Sequence, residues 1–85
     1  MAKYTVSLTK RAKKQLDNIA DNVAEPIFRA INKLEDNPRP FGYLKLKGRS
    51  GYRIKVGDYR ILYEIFDAKL VVEVVELGNR KDIYR

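Results

Sequence analysis

Hydrophobic positions along the chain change period in its first half and again past a proline cluster. Between Lys3 and Leu8, Tyr4, Val6 and Leu8 alternate with Lys3, Thr5 and Ser7, the period of a half-buried strand. Thr9 offers a helix N-cap. From Lys10 onward Ala12, Leu16, Ile19 and Val23 recur at helical spacing, with Lys and Arg on the other face. Across residues 20–26 the pattern resets. Asn22 and Glu25 have capping-box spacing, and Pro26 is tolerated only in a first helical turn, where its missing N–H is not needed. A second helix is expected to run to about Glu35 on the stripe Ile27, Ala30, Ile31 and Leu34, so the two helices read as an antiparallel hairpin. Asn37-Pro38-Arg39-Pro40 ends the helical half, because each proline disfavours helix for the residue before it.

Past the prolines, residues 51–56, 59–66 and 69–77 are rich in Val, Ile and Tyr and read as strands. Gly57-Asp58 has the form of a two-residue hairpin loop with glycine at the first central position, as a type II′ turn requires. That turn sets a register: Val56 opposite Tyr59, Lys55 opposite Arg60, Ile54 opposite Ile61, Arg53 opposite Leu62 and Tyr52 opposite Tyr63. One face of the hairpin is then Tyr52, Ile54, Val56, Tyr59, Ile61 and Tyr63, suited to cover the helices. Gly78 is expected to end the last strand, leaving a charged tail. The layout is β-α-α-β-β-β in an α+β class: a small, twisted, largely antiparallel sheet packed against an N-terminal helical hairpin, read as a single domain over residues 1–85.

Composition narrows the chemistry. With 85 residues, 45% of them hydrophobic, the chain can close one modest core. It contains neither cysteine nor histidine, which leaves no disulfide frame, no thiolate metal site and no imidazole base. Catalysis would have to rest on Lys, Arg, Tyr or carboxylates. Glu64, Glu73 and Glu76 lack metal-ligand spacing, so no metal and no cofactor are expected. A net charge of +7 favours a polyanionic partner, nucleic acid ahead of a membrane surface. No long apolar run or secretory leader is visible, so the protein is expected to be soluble and cytoplasmic.

The second face of the inferred hairpin carries Arg53, Lys55 and Arg60, with Lys55 directly across from Arg60. Like charges in that position repel by roughly 0.2–1 kcal/mol, so either the face is merely solvated or an anion occupies it. Lys45, Lys47 and Arg49 lie just upstream, and the stretch from Lys45 to Arg60 holds six basic residues against one acid, Asp58. A concave basic surface for a phosphodiester chain is the stronger reading.

The run LKGRSGYRIKVGDYRILYEI, followed by a valine-rich strand and GNRKDIY, resembles the RelE family of ribosome-dependent mRNA interferases, in the RelE/ParE superfamily. The similarity spans essentially the whole chain and is strongest from Leu44 to Tyr84. It implies a toxin of a type II toxin–antitoxin system, made with a cognate antitoxin, that enters the ribosomal A site and cuts the codon there. The family's basic pair falls on Arg53 and Lys55, its next-strand arginine on Arg60, its C-terminal arginine on Arg80 and its catalytic-region tyrosine on Tyr84. Many relatives have histidine immediately before that arginine; here Asn79 stands there, which rules out a histidine acid or base.

The chemistry is feasible without histidine, because RNA supplies its own 2′-hydroxyl nucleophile. The protein has to align the reacting atoms, stabilise the phosphorane with the always-charged forks of Arg60 and Arg80, and move a proton. Lys55 or Tyr84 is the expected base, with Arg53 or Arg60 assisting the leaving group; Tyr84 stacking on a base is the alternative role. Lys45, Lys47, Arg49 and Lys81 are candidate contacts to mRNA or ribosomal RNA; Lys10, Arg11, Lys13 and Lys14 on the first helix read first as a solvated face and second as a grip on ribosomal RNA phosphates. Tyr52, Tyr59 and Tyr63 read as core and rim. Two competing functions remain: a ParE-like toxin acting on DNA gyrase without RNA cleavage, and a noncatalytic nucleic-acid-binding module.

Overall fold

The structure, a computed structural model, describes residues 3–79. In chain order the elements are β1 (Thr5–Leu8), α1 (Lys10–Asp17), α2 (Asp21–Lys33), β2 (Leu44–Lys45), β3 (Tyr52–Val56), β4 (Tyr59–Phe66), a 3₁₀ turn (Asp67–Lys69) and β5 (Val71–Asn79). The five strands form one sheet in the order β1-β5-β4-β3-β2, antiparallel throughout except for the parallel pair β1 and β5. Ala12 of α1 and Ile27, Ile31 and Leu34 around α2 meet Ile54, Ile61, Tyr63, Val72, Val74 and Leu77 in one buried cluster, so both helices cover the same face. The α+β expectation holds, with one strand more than the sequence pattern gave: the short β2 at the sheet edge.

Several boundaries differ from the expectation. α1 stops at Asp17, and Ile19 and Val23, expected on its stripe, lie in the link and in α2, where they still pack against the core. The N-cap of α2 is Ala20, with no side-chain capping bond, so Asn22 and Glu25 sit inside the helix rather than forming a capping box. Pro26 falls past the first turn of α2, where its lack of an N–H withdraws one internal hydrogen bond. The last strand begins at Val71, because Asp67–Lys69 make a 3₁₀ turn closed by Leu70 in the left-handed region, φ 54°. Gly78 does not end it. The strand continues to Asn79, because Tyr59 and Arg60 of β4 still offer ladder partners there.

Phase along β5 is kept by a bulge. Ile61 faces Leu77 and Leu62 faces Glu76, but Tyr63 faces Val74, which leaves Val75 as the extra residue. An unbroken register would bring Glu73 opposite Ile65 on the core side; the bulge puts Val72 there and Glu73 on the other face. Thr9 anchors this irregularity. Its N–H donates to the Val74 carbonyl (3.0 Å), and its hydroxyl donates to the Val75 carbonyl (2.8 Å) while accepting from the Ala12 N–H at the start of α1 (3.1 Å). Farther along the same strand edge, Gln15 Oε1 accepts from the Leu77 N–H (2.8 Å). The side chains of Thr9, the N-cap, and Gln15 of α1 thus satisfy β5 where β1 has already ended.

The β3–β4 hairpin has the register that its turn specifies, with all five residue pairs as expected. Gly57 has φ 59° and Asp58 is not in the positive-φ region, the combination that distinguishes type II′ from type I′.

The proline segment is tied down from below. Tyr63, 1% exposed, donates its hydroxyl to the Pro38 carbonyl at 2.7 Å. Arg39 forks onto Asp67 (3.3 and 2.9 Å) and lies over the Tyr52 ring at 5.7 Å, and Asp67 also accepts from the Tyr4 hydroxyl at 2.6 Å. Bonds from Arg39 and Tyr4 hold the Asp67 carboxyl below the ordinary value, so the stability it contributes is present above the usual carboxylate range and is lost as pH falls through its lowered pKa.

Two outcomes are expected. Thr9→Ala removes both side-chain bonds and costs about 1–2 kcal/mol in urea unfolding, with Thr9→Ser keeping most of it. Burial pushes the Tyr63 hydroxyl from the usual 10.0 up to about 12, so the unfolded chain ionises first and stability falls as pH rises between those values. Tyr63→Phe is expected to cost about 1–3 kcal/mol at neutral pH, through the orphaned Pro38 carbonyl, and to flatten that alkaline decline, measured by urea melts at pH 7 and 11.

Candidate nucleic-acid interface

Strand alternation sends Arg53 and Lys55 of β3 and Arg60, Leu62 and Glu64 of β4 to the face without helices. Three rows run across that face. Lys55, Arg60 and Gly78 form one; Leu44, Arg53, Leu62 and Glu76 form the next; Glu64 and Glu73, beside Ser7 of β1, form a third. The face is therefore bipolar, cationic toward the β3–β4 turn and anionic toward the other end. Gly78 brings no side chain into the row of Arg60. Arg60 is 7% exposed and is the buried charged residue of the described part. A buried guanidinium is held in one place, which suits a charge that has to meet a developing negative centre.

Beside this row the β2–β3 connection folds into a groove of about 380 Å³, lined by Leu44, Lys45, Leu46, Lys47, Arg49, Arg53 and Leu62. The Leu46 N–H donates to the Gly51 carbonyl at 3.0 Å and closes the connection. Gly51 has φ 110°, and a Cβ there would stand 3.0 Å from the Tyr63 carbonyl oxygen, so the close approach of this turn to β4 requires glycine. Among the described residues, none of Lys45, Lys47, Arg49, Arg53 and Lys55 has a carboxylate within ion-pair distance. Elsewhere the pairing differs: Lys3 lies 3.7 Å from Asp36, Arg29 3.5 Å from Glu25 and Arg39 2.9 Å from Asp67.

The sequence-predicted residues thus divide. Arg53, Lys55 and Arg60 share two adjacent rows, and Lys45, Lys47 and Arg49 surround the groove beside them. Lys10, Lys13 and Lys14 are exposed on α1, the helix that packs on the opposite face, and Arg11 reaches Glu76 at 3.6 Å. Arg80, Lys81 and Tyr84 lie outside the described residues. Leu44, Leu46 and Leu62 are site residues that charge-based reading passes over. The signal for Leu62 was available, since the turn register puts a leucine opposite Arg53 on a face otherwise read as solvated.

The fold and the cationic end of this face point to a small toxin domain. A family model described as ParE toxin of type II toxin-antitoxin system, parDE, matches residues 6–84, and the chain belongs to this family of RelE/ParE-superfamily toxins. It is 30% identical over 81 residues to the mRNA interferase toxin RelE of Escherichia coli (strain K12), covering 92% of this chain and 84% of that protein. The archaeal RelE–RelB complex from Pyrococcus horikoshii OT3 superposes with a TM-score of 0.81 at 27% identity, over 92% of this chain and 96% of that one. The intact E. coli RelBE toxin–antitoxin complex gives 0.78 at 29% identity, over 89% and 95%.

Because Lys55 and Arg60 are cross-strand like charges, Lys55→Glu is expected to raise stability by about 0.2–1 kcal/mol while weakening RNA binding. Urea unfolding and filter binding of a single-stranded RNA, each at low and high salt, check the two effects together.

Proposed function

We propose that this toxin is a ribosome-dependent endoribonuclease that cuts mRNA in the A site and so stops translation in the cytoplasm. The observation that carries the reading is the cross-strand Lys55–Arg60 pair beside Arg53 on the open face of the sheet, next to the groove that Lys45, Lys47 and Arg49 line. The naming of relatives as mRNA interferases supports it. The catalytic set is Arg53, Lys55 and Arg60 with Arg80 and Tyr84 from the C-terminal segment. Lys45, Lys47, Arg49 and Lys81 hold mRNA, and Lys10, Arg11, Lys13 and Lys14 grip ribosomal RNA. RelE–RelB complexes among the structural relatives support a cognate antitoxin as the second partner.

In this mechanism the 2′-oxygen attacks the adjacent phosphorus, the bond from phosphorus to the 5′-oxygen breaks, and a 2′,3′-cyclic phosphate and a 5′-hydroxyl result. The 2′-hydroxyl proton passes to Lys55 or Tyr84. Lysine accepts a proton as its neutral amine and tyrosine as its phenolate. Arg60 and Arg80 stabilise the extra charge of the phosphorane, and Arg53 or Arg60 supports the departing oxygen as it takes up a proton from water. No metal or cofactor takes part. With no strong base, much of the barrier reduction has to come from the geometry in which the ribosome presents the codon.

Primer extension on programmed ribosomes in an in vitro translation reaction tests this. Wild type is expected to cut at A-site codons far faster than it cuts naked RNA, and Arg60→Ala to lose orders of magnitude in rate while the chain stays folded. Stalled translation with an intact message would reject the nuclease. The matching family's description as ParE toxins favours one second reading, action on DNA gyrase; inhibition of gyrase supercoiling by Arg60→Ala and wild type alike would support it.

A further inference from the structure

The Leu44–Leu46–Leu62 groove has a composition that neither a solvated sheet face nor a phosphate-binding surface explains. A phosphate site calls for cations and amides. A solvated face does not call for three leucines, one of them, Leu62, only 3% exposed, under a rim of Lys45, Lys47, Arg49 and Arg53. Apolar floor and cationic rim together fit a ligand that presents flat apolar faces and negative charges at short intervals, which describes a single-stranded polynucleotide. The groove is also continuous with the candidate catalytic row. Arg53 and Leu62, which line it, are directly opposite each other, and Lys55 and Arg60 lie two residues farther along the same strands, about 7 Å away.

We propose that this groove is a nucleobase subsite: Leu44, Leu46 and Leu62 hold the base of a nucleotide next to the scissile linkage, and Lys45, Lys47, Arg49 and Arg53 hold its flanking phosphates. The assignment rests on the nuclease reading and deepens it, because it names the element that sets base preference. Cations on the open face govern rate at every codon, whereas the leucine floor governs which base is accepted at one position. Space there is limited on one side by Leu44, which is 50% exposed and can be changed without opening the core. A smaller residue at 44 widens the subsite toward purines, and a larger one narrows it toward pyrimidines.

Primer extension across a message containing all codons on programmed ribosomes, for wild type, Leu44→Ala, Leu44→Phe and Leu46→Ala, tests the proposal. The purine-to-pyrimidine cutting ratio at a single codon position is expected to rise about five- to ten-fold in Leu44→Ala. It should fall in Leu44→Phe and stay unchanged at the other two positions. An unaltered codon profile, or an equal drop at every codon, overturns the subsite. Variants with a wild-type profile that escape inhibition by the antitoxin assign the groove to a peptide instead, and also overturn it. A wild-type protein that cuts no message sinks the nuclease reading itself, an outcome distinct from a cutting enzyme whose preference ignores these leucines.

Discussion

β4 crosses the middle of the sheet, and the alternation of its side chains divides the molecule in two. Ile61 and Tyr63 go into the core under the helices, while Arg60, Leu62 and Glu64 go to the open face. A strand has only these two choices, and a one-residue slip in either neighbour would move charges inward and valines outward. On the β3 side the type II′ turn at Gly57-Asp58 removes that freedom. On the β5 side the bulge at Val75, held by Thr9, absorbs a phase break in the sequence and lets Val72, Val74 and Leu77 all reach the core.

Charge is treated differently on the two sides of this partition. At the proline segment Arg39 is engaged by Asp67 and by the Tyr52 ring together, next to the hydroxyl that links Tyr63 to Pro38, and on the helices Arg11 and Arg29 reach Glu76 and Glu25 while Lys10, Lys13 and Lys14 face solvent. On the open face, Lys55 looks across at Arg60, and Lys45, Lys47, Arg49 and Arg53 go without a carboxylate among the described residues. The molecule gives up a little stability there and keeps a positive field directed at solvent. Such a field draws in polyanions and is screened by salt.

A large part of this was legible in the chain because its causes are local. Two-residue loops dictate register, so the pairing of residues 52–56 with 59–63 followed from Gly57-Asp58 alone, and the N-cap role of Thr9 from its position before an amphipathic run. The candidate catalytic set was legible in the same way for Arg53, Lys55 and Arg60, since register and alternation place them together. Where reading failed, the deciding partner was distant. α2 starts at Asp21 behind Ala20, an N-cap with no side-chain bond, although Asn22 and Glu25 offered one, because packing of Ile27 and Ile31 sets where the helix lies. β5 outlasts Gly78 because β4 is there to pair with it.

Sequence by itself therefore determined the element types, the hairpin register, the basic character of one face and the exclusion of histidine and thiol chemistry, all properties set by period, turn chemistry and composition. Only the tertiary structure decided that Leu44, Leu46 and Leu62 share a groove with four of those cations, that Arg60 is buried beside Gly78, and that Val75 bulges out to keep Glu73 off the core. These depend on strands brought together from separate parts of the chain. No local pattern encodes how far apart two side chains stand when the segments carrying them meet only after the sheet has formed.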